Sequence, residues 1–65
     1  MRLKDAYKDI NKGKVEARLN TAFGYFRIMG VNREDWTVKV DTGGGYTRTF
    51  YCTPDTRVRI EKIIY

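Results

Sequence analysis

Residues 36–52, WTVKVDTGGGYTRTFYC, hold the one stretch of the chain in which alternation, β-branching and a turn signal agree. Trp36, Val38 and Val40 fall on one side of an extended chain and Thr37, Lys39 and Asp41 on the other. That is the period-two pattern of a strand with one face buried. Gly43, Gly44 and Gly45 then supply the turn. A three-residue glycine loop closes a hairpin that pairs Thr42 with Tyr46, Val38 with Phe50 and Trp36 with Cys52. In this register Trp36, Val38, Phe50 and Cys52 point inward, while Lys39, Thr49 and Tyr51 point outward. Arg48 lies opposite Val40, where it must reach the rim of the core or be relieved by a bulge.

Upstream, Asn32, Arg33, Glu34 and Asp35 make a polar turn whose Asn and Asp suit local side-chain hydrogen bonds. Before it, Tyr25 to Gly30 reads as a strand with Phe26 and Ile28 on one face and Tyr25, Arg27 and Met29 on the other. Asn20 to Gly24 is expected as a loop, and Phe23 is ambiguous there, plugging the core from the loop being one of its readings. Val15, Ala17 and Leu19 alternate against Lys14, Glu16 and Arg18 in a first, half-buried strand. At the start, Leu3, Ala6, Tyr7 and Ile10 stand at i, i+3, i+4 and i+7 of an amphipathic helix, ended by Asn11, Lys12 and Gly13. So short a helix does not persist alone in water, so its apolar stripe must dock on the sheet.

Downstream, Thr53, Pro54, Asp55 and Thr56 break the pattern in a tight turn, because proline cannot donate to a ladder. Val58 and Ile60 then point in and Arg57, Arg59 and Glu61 point out, until Ile63, Ile64 and Tyr65 break the parity. A bulge in this strand, or a tail covered on both sides, accounts for that. The tail is either tied into the sheet or an exposed edge that pairs with another chain, which makes a homo-oligomer one expectation.

The fold expected is mainly β: a small five-stranded antiparallel barrel or strongly bent sheet with a short N-terminal α-helix, spanning residues 1–65 as one domain. The helix takes residues 1–12 and the β-barrel residues 14–65. A short turn before the fifth strand resembles the element order of SH3-like proteins, and a helix placed first resembles that of Sm-like chains. The resemblance is one of order only. Neither the paired tryptophans and acidic loop of peptide-binding SH3 domains nor the Asp and Gly motifs by which Sm proteins hold RNA are present, so no functional residue is inherited.

Composition limits the function. With 65 residues the chain has no room for a second site-bearing domain, and its surface-to-volume ratio leaves little stability in reserve. Thirteen Lys and Arg against eight Asp and Glu give a net charge of +5, which favours polyanions as partners. The one cysteine, Cys52, cannot form an internal disulfide and is expected to behave as a small buried hydrophobe in a reducing compartment. No apolar run is long enough to cross a membrane or serve as a signal peptide, which places the protein in the cytoplasm. With no histidine, the chain offers no nucleophile and base pair, no zinc ligand set and no calcium-loop spacing, so neither catalysis, a metal nor a cofactor is expected. The glycine run lacks the strand, helix and Lys-Ser/Thr context of a phosphate loop.

The outward face carries the remaining signal. Lys14, Arg18, Arg27, Lys39, Arg57 and Arg59 are all expected there, with Tyr25 and Tyr51 among them. Basic groups that neutralise phosphates, interleaved with rings on which bases stack, are how small barrels hold nucleic acid with little sequence preference. The rival reading is a protein-interaction module, such as a small phage or mobile-element regulator docking on a larger host protein. Exposed Tyr25, Tyr46, Tyr51 and Arg48 would anchor it, since Tyr and Arg are favoured at interface hot spots.

Overall fold

Leu3, Ala6 and Ile10 are buried along one side of helix α1 (Leu3–Asn11) in a computed structural model that describes residues 1–64. The helix ends as its sequence requires. Gly13 has φ 72°, a left-handed conformation that costs a residue without Cβ little. Its N–H bonds to the Ile10 carbonyl while the Lys14 N–H bonds to that of Asp9, the paired closure of a Schellman motif. The other end is held by backbone bonds from Leu3 to Thr56 and from Lys4 to Pro54.

Five strands follow: β1 (Val15–Thr21), β2 (Gly24–Asn32), β3 (Thr37–Gly43), β4 (Tyr46–Tyr51) and β5 (Arg59–Ile63). They form one antiparallel sheet in the order β4-β3-β2-β1-β5. Ala17, Leu19, Ile28, Val31, Val38, Val40 and Val58 complete the core beneath the helix. Tyr7, Val15, Phe26, Trp36, Phe50, Cys52 and Ile60 pack half-buried around it.

The sheet is not closed into a barrel: among the described residues no ladder joins the outer strands β4 and β5. It is nevertheless bent. Phe23, in the β1–β2 turn, reaches Phe50 on β4 with ring centroids 6.1 Å apart, although β3 lies between β2 and β4 in the sheet. Ring packing thus draws the corner together without backbone pairing.

The central hairpin keeps the expected pairs Val38 with Phe50 and Val40 with Arg48, but its tip differs. Gly43 pairs with Tyr46, the register shifts between Asp41 and Gly43, and Gly44 and Gly45 alone form the turn. Both have positive φ, 61° and 83°, the pair of left-handed residues that matches the twist of a two-residue hairpin. Thr42 is the extra residue of the bulge rather than the partner of Tyr46.

Trp36 also departs from expectation. It precedes β3 with φ 59°, so it does not continue the strand alternation, although its carbonyl still accepts the Cys52 N–H at 3.2 Å. Its ring stands edge-on to Tyr7 at 5.4 Å, half-buried beside the helix. Between β1 and β2 there is a two-residue turn instead of a longer loop, with Thr21 paired to Gly24. Phe23 does not plug the core: it is 63% exposed, leaning on Phe50.

Two further bulges interrupt the ladders, and the second accounts for the broken parity at the end of the chain. Between β2 and β3, Ile28 pairs with Val40 and Gly30 with Lys39, so Met29 is extra and both Ile28 and Val31 reach the core. Between β1 and β5, Ala17 pairs with Ile60 and Glu16 with Lys62, which makes Glu61 the extra residue. Ile63 and Ile64 remain more than half exposed, while Tyr65 lies outside the described residues. The Thr53–Thr56 turn forms as its sequence indicates, with the Thr56 N–H on the Thr53 carbonyl and the Thr53 N–H on the Thr56 hydroxyl.

Candidate nucleic-acid interface

The face of the sheet opposite the core is organised by one cross-strand row. Asp41 on β3 pairs with Arg27 on β2, Arg27 with Arg18 on β1, and Arg18 with Arg59 on β5. Arg18 is therefore flanked by an arginine in both ladders, and like charges directly opposite one another are unfavourable. The neighbours are relieved by acids: Arg27 Nη2 lies 3.4 Å from Asp41 Oδ2 and Arg59 Nε 3.7 Å from Glu61 Oε1. Among the described residues Arg18 has no carboxylate partner. Its guanidinium sits 5.6 Å from the centroid of the Tyr25 ring.

Tyr25 crosses this row diagonally. Its backbone belongs to β2, opposite Asn20, yet its hydroxyl donates to Glu61 in the bulge of β5. Loss of hydration, and then the bond to Glu61, raise its pKa above the ordinary tyrosine value. The bulge that frees Glu61 from the strand alternation thus sets where the Tyr25 ring lies.

Beside that ring opens a cleft of about 260 Å³ lined by Arg18, Asn20, Tyr25, Arg57, Val58 and Arg59. Arg57 enters it from just before β5, where its backbone bridges to Arg2. Among the described residues no carboxylate pairs with Arg57, and the nearby Asp55 is taken by Arg2 at 3.1 Å and Lys4 at 3.3 Å. Those two cations hold the Asp55 carboxyl below the ordinary aspartate range, Lys4 more than Arg2. Three arginines consequently line one concavity, and among the described residues no carboxylate lines it with them; Glu61 stands behind it, bonded to Tyr25 and paired with Arg59. Planar guanidinium forks match the oxygens of phosphate, and a tyrosine wall offers a surface for a ring.

Four of the eight expected site residues, Arg18, Tyr25, Arg57 and Arg59, are brought together here. Arg27 adjoins them in the row but is occupied by Asp41. Lys39 is exposed on the same face, opposite Thr49 and Gly30, two strands away from β1. Tyr51 is 88% exposed opposite Thr37 on β4, at the far side of the sheet. Lys14 stands at the junction of helix and β1, where its backbone carbonyl accepts the Ile64 N–H. Asn20 was the residue missed. Its signal was present in the sequence, since it follows Arg18 by two on the same face of β1.

A second concavity of about 380 Å³ lies where the β1–β2 turn meets the end of β4, with Phe23, Phe50, Tyr51 and Cys52 in its walls. Arg48 does not enter the core; its guanidinium stacks 4.1 Å over the Phe23 ring. Burial pushes the Cys52 thiol above its ordinary pKa, which suits a packing role and not a reactive one. Among the described residues no helix is long and apolar enough to cross a membrane. No protein-family model, curated protein or solved structure matches the chain.

Proposed function

We propose that this chain is a small, non-enzymatic, cytoplasmic protein that binds the phosphate backbone of nucleic acid, DNA or RNA, with the Arg18–Arg57–Arg59 cleft as its anchor. The supporting observation is the row in which Arg18 faces Arg27 and Arg59 across both ladders while its partner among the described residues is the Tyr25 ring. Such a cluster costs stability in the free protein, and an anion that bridges the guanidinium groups removes the cost. Tyr25 contributes a ring beside the phosphate site, and Lys39 and Arg27 extend the basic surface across the sheet. Contacts of this kind fix a backbone without reading bases.

Titration of a labelled oligonucleotide at low and moderate salt tests the reading. Three arginines on phosphates give a log–log salt slope of about 2 to 3 in magnitude. The expected result is weak, strongly salt-dependent binding to single strands and duplexes alike. Absence of binding at low salt defeats the proposal and turns attention to the interaction-module reading, which the exposed Tyr46 and Tyr51 favour.

A further inference from the structure

The two outer strands of the sheet are finished differently. β5 carries a bulge at Glu61 and the charges of Arg59, Glu61 and Lys62, and its approach is covered by the first residues of the chain. There the Val58 N–H bonds to the Met1 carbonyl at 2.8 Å, and Arg2 bridges to Arg57. These are the devices by which sheets block pairing at an edge. β4, Tyr46–Tyr51, has none of them. Its sequence YTRTFY contains no proline, its one charge is Arg48, and that guanidinium is drawn over Phe23 and Phe50, 4.1 and 5.5 Å from their centroids.

The backbone directions on β4 follow from one bond. The Cys52 N–H donates to the Trp36 carbonyl, so in an antiparallel ladder the N–H and C=O groups of Phe50 and Arg48 also face β3. Those of Thr47, Thr49 and Tyr51 face away from it, toward the open edge of the sheet.

We infer that this edge pairs with β4 of a second copy of the chain, antiparallel, with Thr49 on the twofold axis. The sequence fits itself in that register. Residues of one sheet face must oppose one another, so the axis passes through a residue and not between two. An axis through Arg48 sets two arginines face to face and leaves Tyr51 unpaired. Through Thr49, every outward N–H and C=O of Thr47, Thr49 and Tyr51 finds a partner. Thr49 then opposes Thr49, Thr47 opposes the second copy's Tyr51 on the outer face, and Arg48 lies beside the second copy's Phe50 on the inner face. Threonine–aromatic and cation–aromatic neighbours of this kind are favourable across strands. Tyr51, 88% exposed in the single chain, is covered by the pairing.

Sedimentation velocity of the full chain over a concentration series tests this, alongside Thr49→Pro and Thr49→Lys, each checked for its fold by circular dichroism. Proline at 49 removes an N–H that faces away from β3, so the hairpin ladder survives while the edge loses its central donors. Lysine at 49 places two ammonium groups on the axis from an exposed position. The expected result is a concentration-dependent dimer for the parent and a folded monomer for Thr49→Lys and Thr49→Pro. Should Thr49→Pro not fold, Thr49→Lys decides alone. A parent that is monomeric at every concentration overturns the inference, as does a dimer that Thr49→Lys leaves intact.

Discussion

Asn11 and Val31 hold each other by both hydrogen-bonding groups: Asn11 Nδ2 donates to the Val31 carbonyl at 2.9 Å, and the Val31 N–H donates to Asn11 Oδ1 at 2.8 Å. The last residue of the helix thereby substitutes for a strand on the side of β2 where pairing with β1 has ended at Arg18–Arg27, while Val31 stays in register with Val38 of β3 on the other. Asn11→Ala leaves both backbone groups without these partners, and we expect a loss of about 2 kcal/mol. For a domain of this size that is a fall in Tm of about 8 to 16 °C, read by thermal denaturation. Asn11→Asp keeps the acceptor but loses the donor and is expected to fall in the same direction.

Trp36 combines a stabilising ring contact with an unfavourable backbone. Half-buried against Tyr7, it is worth less than a fully enclosed aromatic, and we expect Trp36→Ala to cost about 2 kcal/mol in urea unfolding. Its φ of 59° costs an L-residue about 1 to 2 kcal/mol that glycine does not incur. Trp36→Gly is therefore expected to be no less stable than Trp36→Ala, the reverse of the order at an ordinary strand position.

Glu61 is the acid that contacts two residues of the basic cleft, Tyr25 and Arg59. Its exposed pair with Arg59 contributes little to stability, so Glu61→Gln is expected to melt close to the parent while binding an oligonucleotide more tightly at low salt. Arg18→Ala and Arg57→Ala are expected to weaken binding across sequences alike, each lowering the salt slope by about 1. Titrations at several salt concentrations separate these effects.

Asp35 and Asp55 both have pKa values below the ordinary aspartate value of 3.8. For Asp35 the cause is the backbone N–H and then the hydroxyl of Thr37; for Asp55 it is Lys4 and then Arg2. A carboxyl whose folded pKa is depressed stabilises the fold above its unfolded value, and that stability is lost as pH falls through the folded value. We expect Tm to decline below about pH 4 on this account, and Asp55→Asn to show a shallower decline in the same window. Denaturation scans between neutral and strongly acidic pH measure both.

Most of the hairpin faces were legible because Val38, Val40 and Phe50 obey strict alternation, and the helix because Leu3, Ala6 and Ile10 obey its own period. The bulge at Glu61 is legible only as broken parity at the end of the chain, which shows that a residue is extra but not which one, and the bulge at Met29 leaves no break in the alternation of residues 25–30. The choice between a closed barrel and a strongly bent sheet stays open in the sequence for a related reason. Whether β4 meets β5 depends on cumulative twist and on ring contacts such as Phe23 with Phe50, which no local pattern encodes. The basic face was visible as outward arginines, yet its focus was not. Arg18, Arg57 and Arg59 converge because β1 and β5 are neighbours, a pairing between distant parts of the chain.

That neighbourhood also sets the order of events along the folding path. Every other ladder joins consecutive strands, whereas β1–β5 brings Val15–Arg18 against Arg59–Ile63 and closes nearly the whole chain into a loop. The β1–β4 meander has small loop-closure costs and assembles early; the β1–β5 seam is expected to form last and, in amide exchange, to open first. The arginine cleft straddles this seam, so it exists only once the final strand has docked, and any anion lodged there acts as a clasp on the slowest-forming part of the sheet.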